Sequence, residues 1–312
     1  MAIVSIRHRT VYRYRKPVSF GEHRMMFRPL ESHDQRVLDS ELIIGPLDHT
    51  LRQIHDVFGN SVAIALFEGQ ADTLSFDSRV RLEHTPTPGF TGDDGEALAY
   101  AGAVPFKYSP QDLPDLARSM TAHYPDPQGE LKAWTQGFLK SKGRTALETL
   151  LTDITQAIHA DFRYATRMEG FPQTPLQTLA SKSGSCRDFA VLMMEAVRSL
   201  GLAARFASGY IYSSKTAGAP GARIGGGHTH AWVRVYLPVL GWMEFDPTNG
   251  IVGNTDLVRV AIARDPQQAL PLHGTWSGDA SDSLGMEVSV DVEVETAQPM
   301  QPHRRLRLAS AG

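Results

Sequence analysis

The chain has a single cysteine, no strong excess of charge of either sign and no long uninterrupted apolar run. One cysteine excludes an intramolecular disulfide framework and is consistent with a reducing compartment. A net charge of −3 gives no reason to predict a nucleic-acid partner. No stretch approaches the roughly 20 apolar residues of a membrane span, and the opening MAIVSIRHRT lacks a secretory hydrophobic region. We therefore predict a cytoplasmic protein with no nucleic-acid or membrane partner.

Residues 1–95 are typical of short β-strands separated by turns. The segments are IRHRTVYRYRKPV, VLDSELIIGP, HTLRQIHDVFGN and SVAIALFEG. Regular short strands of this kind predict a β-rich, sandwich-like N-terminal domain. Residues 84–96, rich in Pro, Gly and Asp, are typical of a linker or a long loop.

Residues 96–312 are predicted to form a second domain, which starts with helices and ends in strands and a short basic tail, HRRLRL. Apolar residues recur at helical spacing over residues 112–122, 128–140 and 145–160. Thr145 and Glu148 have the spacing of a capping box. From Ala203 the period changes to two, through AARFASGYIY, HAWVRVYLP, GWMEFDPT, DLVRVAIA and MEVSVDVEVE. This order of strands, helices and strands predicts an α+β fold.

Cys186 stands at a Gly-Ser turn, directly before a run with helical periodicity that ends at Gly201. Ser185 is suited to cap this helix, and Asp188 lies in its first turn. Free N–H groups at a helix start stabilise a thiolate and can also hold an oxyanion formed on a substrate. The alternative is a small buried hydrophobic residue, the common fate of a free cysteine. The helix alone leaves both interpretations open.

His230 begins one predicted strand, and Asp246 lies near the end of the next strand. Because the two strands are joined by a turn, they are expected to pair as antiparallel neighbours. If the residue numbers of the paired positions add up to an even number, His230 and Asp246 share a face and come within side-chain reach. A histidine oriented by a carboxylate is a general base. Taken singly, His230 could be a satisfied strand histidine and Asp246 a turn former. A metal site built from His228, His230, Glu244 and Asp246 is a further alternative, although it leaves Cys186 unexplained.

The segments GSCRDFAVLMMEAVRSLGLAARFASGY and HAWVRVYLPVLGWMEFDPTNG closely resemble the core of the transglutaminase-like superfamily. The resemblance implies a papain-like core, with the catalytic cysteine at a helix N-terminus packed on an antiparallel sheet. It also implies that Cys186, His230 and Asp246 act as nucleophile, base and orienting carboxylate. Residues 1–95 are similar to the N-terminal β-rich domain of the bacterial branch.

This resemblance implies acyl transfer from a peptide, protein or small-amide substrate through a thioester, without a cofactor or metal. Hydrolysis, as in a protease or amidase, is favoured over amine transfer, as in a transglutaminase, because water is always available as the acceptor. An inactive binding or scaffold protein on the same fold is the alternative. Asp188 and the two tryptophans of the predicted hairpin are expected to be structural, and the glycine-rich residues 213–229 could gate the cleft. Candidates for a second oxyanion donor are Gln173, Gln177 and Tyr164.

Overall fold

The computed structural model of the protein describes residues 2–90, 103–104, 107–167, 170–212 and 223–295. The basic tail, the end of the predicted linker and residues 213–222 of the predicted gating loop lie outside these residues. The helices are α1 (Leu113–Met120), α2 (Glu130–Gln136), α3 (Leu147–Asp161), α4 (Pro175–Ser181) and α5 (Cys186–Ser199).

Sixteen strands are present in the described residues, and most of them form two sheets. In chain order they are β1 (Ala2–Met25), β2 (Gln35–Gly45), β3 (His49–His55), β4 (Ser61–Phe67), β5 (Gln70–His84), β6 (Ala103–Val104), β7 (Thr145–Ala146), β8 (Arg163–Tyr164), β9 (Ser183–Gly184), β10 (Ala204–Ile211), β11 (His230–Leu237), β12 (Gly241–Asp246), β13 (Ile251–Val252), β14 (Leu257–Ala263), β15 (Leu272–Ser277) and β16 (Ser283–Glu295).

A seven-stranded antiparallel sheet contains the predicted N-terminal strands in the order β2-β5-β1-β4-β3, and β15 and β16 also pair with β1. The residues of β15 and β16 lie in the predicted second domain, residues 96–312, yet they pair with β1 of the N-terminal sheet. The first half of the long strand β1, residues 3–13, lies between β5 and β16. Such a pairing joins residues far apart in the chain, and alternation within one strand does not reveal its neighbour.

The second sheet has five strands in the order β13-β12-β11-β10-β14, and α5 packs against its centre. The helix is buried almost along its whole length because apolar side chains lie on several of its faces, such as Phe189, Leu192 and Met194. These side chains join Val233 and Phe245 of the sheet in one hydrophobic core. The α+β class and the antiparallel sheet beneath the cysteine helix are therefore confirmed.

The two sheets face each other through an apolar layer that includes Ile6, Tyr210 and Val258. Beside this layer, Arg259 of β14 lies 2.6 Å from the Glu244 carboxylate and 3.0 Å from the Asp34 carboxylate. All three side chains are buried, so each charge depends on the others for compensation. The seven-stranded sheet is thus fixed in place against the five-stranded sheet.

The capping box predicted at Thr145 and Glu148 is wrong. Thr145 pairs with Val104 in a short ladder, and its hydroxyl accepts the N–H of Lys140 at 2.8 Å. With this hydroxyl already occupied, α3 begins two residues later, at Leu147, without a side-chain cap. None of the helices in the described ranges is long and apolar enough to cross a membrane.

Candidate active site

Cys186 is the first residue of α5, as predicted, and a network around Asp188 anchors this helix start. The Asp188 carboxylate accepts the backbone N–H of Ser185 at 2.7 Å and its hydroxyl at 2.9 Å. It also accepts the backbone N–H of Gln173 at 2.6 Å and pairs with Arg167 at 2.5 Å. The fully buried Asp188 therefore ties the preceding loop to the helix, in keeping with the structural role predicted for it.

His230 and Asp246 meet across the β11–β12 hairpin. The register pairs Val233 with Phe245, which puts Asp246 one diagonal step from His230 on the same face. The Nε2 atom of His230 lies 2.8 Å from Oδ2 of Asp246. His230 is 1 % exposed and Asp246 is 0 % exposed, so bulk water does not weaken this contact.

The charges of this pair support each other. Burial opposes the charged form of His230, but the charge and the hydrogen bond of Asp246 outweigh it and raise the pKa of His230 to about 10. Burial likewise opposes the carboxylate of Asp246, but His230, Asn249 and the N–H of Thr248 hold its pKa below the ordinary value. At neutral pH the site therefore contains an imidazolium and a carboxylate.

The second ring nitrogen of His230, Nδ1, has no hydrogen bond of normal geometry within the described residues. The Cys186 thiol is nevertheless close enough to help raise the pKa of His230, through hydrogen bonding and charge. Contacts of this kind are often long in unliganded enzymes and tighten when substrate binds. Nε2 of His230 therefore faces Asp246, and Cys186 lies near the same ring.

A cleft of about 400 Å³ opens at Cys186 and His230. Its lining comes from both sheets: His8 and Thr10 on β1, Met286 and Val288 on β16, and Phe206 and Ser208 on β10. The strands at the two ends of the chain therefore form one wall of the candidate site. The sequence analysis did not anticipate this wall, because it depends on the pairing of β16 with β1.

Two residues that the sequence analysis did not select also hold the site together. Asn249 donates to Oδ2 of Asp246 at 2.8 Å, and its side chain forms two hydrogen bonds with the backbone of Ile224. Gly225 has a φ of +96°, and a Cβ added there would lie 2.7 Å from Nδ1 of His230. The segment before β11 therefore lies against the histidine ring. Both residues stand in turn-like patterns, PTNG and GGG, that mark loops without revealing such contacts.

The three candidates for the oxyanion donor fall in different places. Gln177 caps α4 through Thr174, and the Gln173 side chain faces Thr178 and Ser181. Tyr164 lines the cleft with Cys186, and burial, together with the nearby thiol and other groups, raises its pKa to about 12. Of the three, only Tyr164 is among the residues that line the cleft, and its hydroxyl keeps its proton at neutral pH.

Glu244, one of the four residues of the alternative metal site, is paired with arginines instead. The Glu244 carboxylate lies within 2.6 Å of Arg259 and 2.9 Å of Arg234. Across the described part of the chain, no group of three or more His, Cys, Asp or Glu side chains is placed to hold a metal ion.

Both tryptophans of the hairpin pack against neighbouring side chains, as predicted, and Trp232 also contacts His230 of the candidate site. Trp232 is fully buried and stacks on the His230 ring, with centroids 6.0 Å apart. Trp242 lies under the Arg205 guanidinium, 4.3 Å from it, and packs on Tyr236. Trp232 therefore helps to fix the ring plane of the candidate base.

Comparison with known families gives two matches, one on the N-terminal strands and one on the region of the candidate site. Residues 4–83 match the bacterial transglutaminase-like N-terminal region, and residues 118–247 match the transglutaminase-like superfamily. The second range includes Cys186, His230 and Asp246. The resemblance inferred from the sequence motifs is therefore confirmed.

Related proteins are found in mycobacteria. The chain is 28 % identical to the uncharacterized protein Rv2569c of Mycobacterium tuberculosis over 292 residues, which cover 92 % of this chain and 91 % of the relative. It is 31 % identical to the uncharacterized protein ML0607 of Mycobacterium leprae over 127 residues, covering 41 % of this chain and 44 % of the relative.

A solved structure shares the fold along almost the whole chain. It is that of a Cytophaga hutchinsonii protein described as a candidate cysteine protease, with a TM-score of 0.69 and 19 % identity. The similarity covers 97 % of this chain and 94 % of that protein. At this identity the likeness shows a common fold.

Proposed function

The chain belongs to the transglutaminase-like superfamily, and from this premise we propose that it is a thiol-dependent acyl-transfer enzyme that hydrolyses amide or peptide bonds. The observation that carries the proposal is the hydrogen bond between His230 and Asp246, buried beside the Cys186 thiol. Such a pair keeps the imidazole charged, and a charged imidazole favours the thiolate form of the neighbouring cysteine.

In the proposed reaction, the Sγ thiolate of Cys186 attacks the carbonyl carbon of the substrate amide. The carbonyl oxygen becomes an oxyanion, which the backbone N–H at the start of α5 stabilises, with the Tyr164 hydroxyl as the proposed second donor. The imidazolium of His230 gives a proton to the leaving amine, and a thioester remains. Water, deprotonated by the now neutral His230, then attacks the thioester, releases the acid and restores the Cys186 thiolate beside the His230 imidazolium.

Asp246 keeps the ring oriented and compensates its positive charge throughout this cycle. Water is the proposed acceptor because nothing among the cleft residues marks a site for a second amine. The cytoplasmic location and the absence of nucleic-acid and membrane partners stay predictions from the sequence.

The test uses p-nitrophenyl acetate, a small ester that needs the triad but little of the cleft. We expect release of nitrophenol with acetylation of Cys186, detected by intact-protein mass spectrometry, and loss of both in Cys186→Ser and His230→Ala. Asp39→Asn, an exposed carboxylate on β2, is the matched control for charge removal. A wild-type protein that neither acetylates nor turns over the ester would contradict the proposal and favour the binding or scaffold alternative.

Amine transfer is distinguished by adding monodansylcadaverine together with a set of glutamine-containing peptides. Hydrolysis predicts free acid or deamidated products and no dansylated peptide. If dansylated peptide formed without free acid, the acyl-transfer chemistry would stand but the preference for water would be wrong.

A further inference from the structure

The strand β16 has an edge that is unpaired over part of its length within the described ranges. It pairs with β1 on one side only. On the other side the backbone N–H of Val290 donates to the carbonyl of Gly227 at 3.1 Å, three residues before His230. In an antiparallel strand, the N–H and C=O groups of every second residue point to the same side. The backbone groups of Met286 and Val288 therefore point away from β1, in the same direction as the N–H of Val290.

This edge runs into the candidate active site. The Val290 side chain is buried between the two sheets with Tyr210, whereas Met286, four residues earlier, is 46 % exposed. Met286 and Val288 line the same cleft as Cys186 and His230. At the start of the cleft this edge is therefore no longer covered by the second sheet. On the side away from β1, no described residue forms a backbone hydrogen bond with Met286 or Val288.

An unpaired strand edge is a template for an added strand. Added strands bind through main-chain hydrogen bonds, and their side chains enter pockets at alternate positions. The cleft supplies apolar lining for such side chains from Phe206, Leu270 and Leu272. A small amide would occupy the region of the thiol and leave this edge unused.

We propose that the acyl donor is an extended polypeptide, which adds to β16 as a further strand through the backbone groups of Met286 and Val288. This inference rests on the proposed function, because it places the substrate of that reaction. The proposed substrate is a polypeptide and not a small amide. Its reacting amide lies either in the main chain or in a glutamine side chain.

The experiment compares two proline substitutions on the same strand. Val288→Pro removes an outward-pointing N–H in the cleft, and Val294→Pro removes the equivalent N–H six residues further on, away from the cleft. Neither change removes a bond to β1, so proline is tolerated at both positions to a similar degree. The probes are an equimolar library of synthetic 14-residue peptides, followed by mass spectrometry for cleavage and deamidation, and p-nitrophenyl acetate.

We expect the wild type to process a subset of the peptides. Val288→Pro should lower the ratio of peptide turnover to ester turnover about tenfold, the usual effect of one or two lost hydrogen bonds, and Val294→Pro should leave that ratio unchanged. Single N-methylation along the backbone of one processed peptide should reproduce the loss at alternate positions. This substrate-side scan serves as the test if Val288→Pro does not fold.

The inference is overturned if the ester is turned over and no peptide is processed, or if both proline variants and all N-methylated peptides behave alike. In either case the triad chemistry still stands. Failure of the proposed function has a different signature, because the wild type would then process neither the ester nor any peptide.

Discussion

Replacing Asp246 by asparagine tests the electrostatic basis of the site. The change keeps the shape of the side chain and removes the charge that raises the pKa of His230 to about 10. Burial, which opposes the charged imidazole, would then dominate and bring that pKa below its ordinary value of 6.5. Burial lowers the pKa of the similarly buried His8 to about 4, so at pH 6 to 8 the ring of His230 would be neutral and Cys186 would lose its positive neighbour.

The ordinary ionisation of a thiol limits how far the alkylation rate of Cys186 can fall. A free cysteine, with a pKa of about 8.5, is ionised to about 0.3 % at pH 6, so complete loss of the ion pair lowers the thiolate fraction up to about 300-fold. The pKa of His230, raised to about 10, lies well above this pH, so the ionisation of the free thiol sets the ceiling. Because stabilised thiolates are also weaker nucleophiles, we expect a fall of about 10- to 300-fold.

The assay is the rate of iodoacetamide alkylation of Cys186 from pH 5 to 10, which is unambiguous because the chain has one cysteine. The wild type should label quickly at pH 6, Asp246→Asn slowly, and the two rates should converge near pH 10. His230→Ala should resemble Asp246→Asn, and Asp39→Asn should resemble the wild type. Equal rates in wild type and Asp246→Asn at pH 6, with both proteins folded, would refute the ion-pair reasoning.

Three further predictions concern the residues around the triad and between the sheets. Gly225→Ala should lower the free energy of unfolding by about 1–3 kcal/mol because of its positive φ, and should reduce ester turnover; Gly226→Ala, with no atom nearer than 4.0 Å to the added methyl group, is the control in the same melting and kinetic assays. Asn249→Ala should reduce ester turnover about tenfold at pH 7, since the candidate aspartate loses a donor, and unchanged turnover would exclude a positioning role. Arg259→Ala should lower the free energy of unfolding in urea by about 3–5 kcal/mol at pH 7, because it leaves the buried Asp34 carboxylate without a paired arginine and leaves Glu244 with Arg234 alone. Since Arg259 outweighs burial and holds the pKa of Asp34 at about 2, this contribution is present above pH 4 and should disappear as the pH falls towards 2.

The His230–Asp246 pair also predicts how stability depends on pH. The raised pKa of His230 contributes stability that is complete below pH 6.5 and is lost as the pH rises through about 10. The lowered pKa of Asp246 contributes stability that is present above about pH 4 and is lost on acidification. Urea denaturation of the wild type and Asp246→Asn across this range should therefore differ most between pH 4 and 6.5, and equal stabilities there would contradict the assignment.

Much of the candidate site could be predicted from local patterns. The spacing of apolar residues after Cys186 and the glycine at position 201, with a φ of +82°, mark both ends of α5 correctly. Alternation along β11 and β12, with a turn between them, placed His230 and Asp246 on paired neighbouring strands, and the register of Val233 with Phe245 then puts them on one face. Such patterns are reliable because helix and strand periods depend on neighbours along the chain.

Other features could not be predicted in this way. The hydroxyl of Thr145 has the right spacing for a cap, yet a backbone N–H from five residues earlier occupies it. Gly225 belongs to a glycine-rich loop that gives no sign of the histidine ring next to it. In both cases the outcome depends on which group the folded chain brings next to the residue, and local propensity does not determine this.

By itself, the sequence determined the α+β class, the cysteine at a helix start and the histidine and aspartate on neighbouring strands, because each of these depends on side-chain periodicity and turn chemistry over a few residues. Only the tertiary structure decided that β16, near the end of the described chain, pairs with β1 at its beginning and forms a wall of the cleft. The physical reason is that strand edges and buried charges are satisfied by whichever partner lies nearby in the folded chain, and that partner can be hundreds of residues away in sequence.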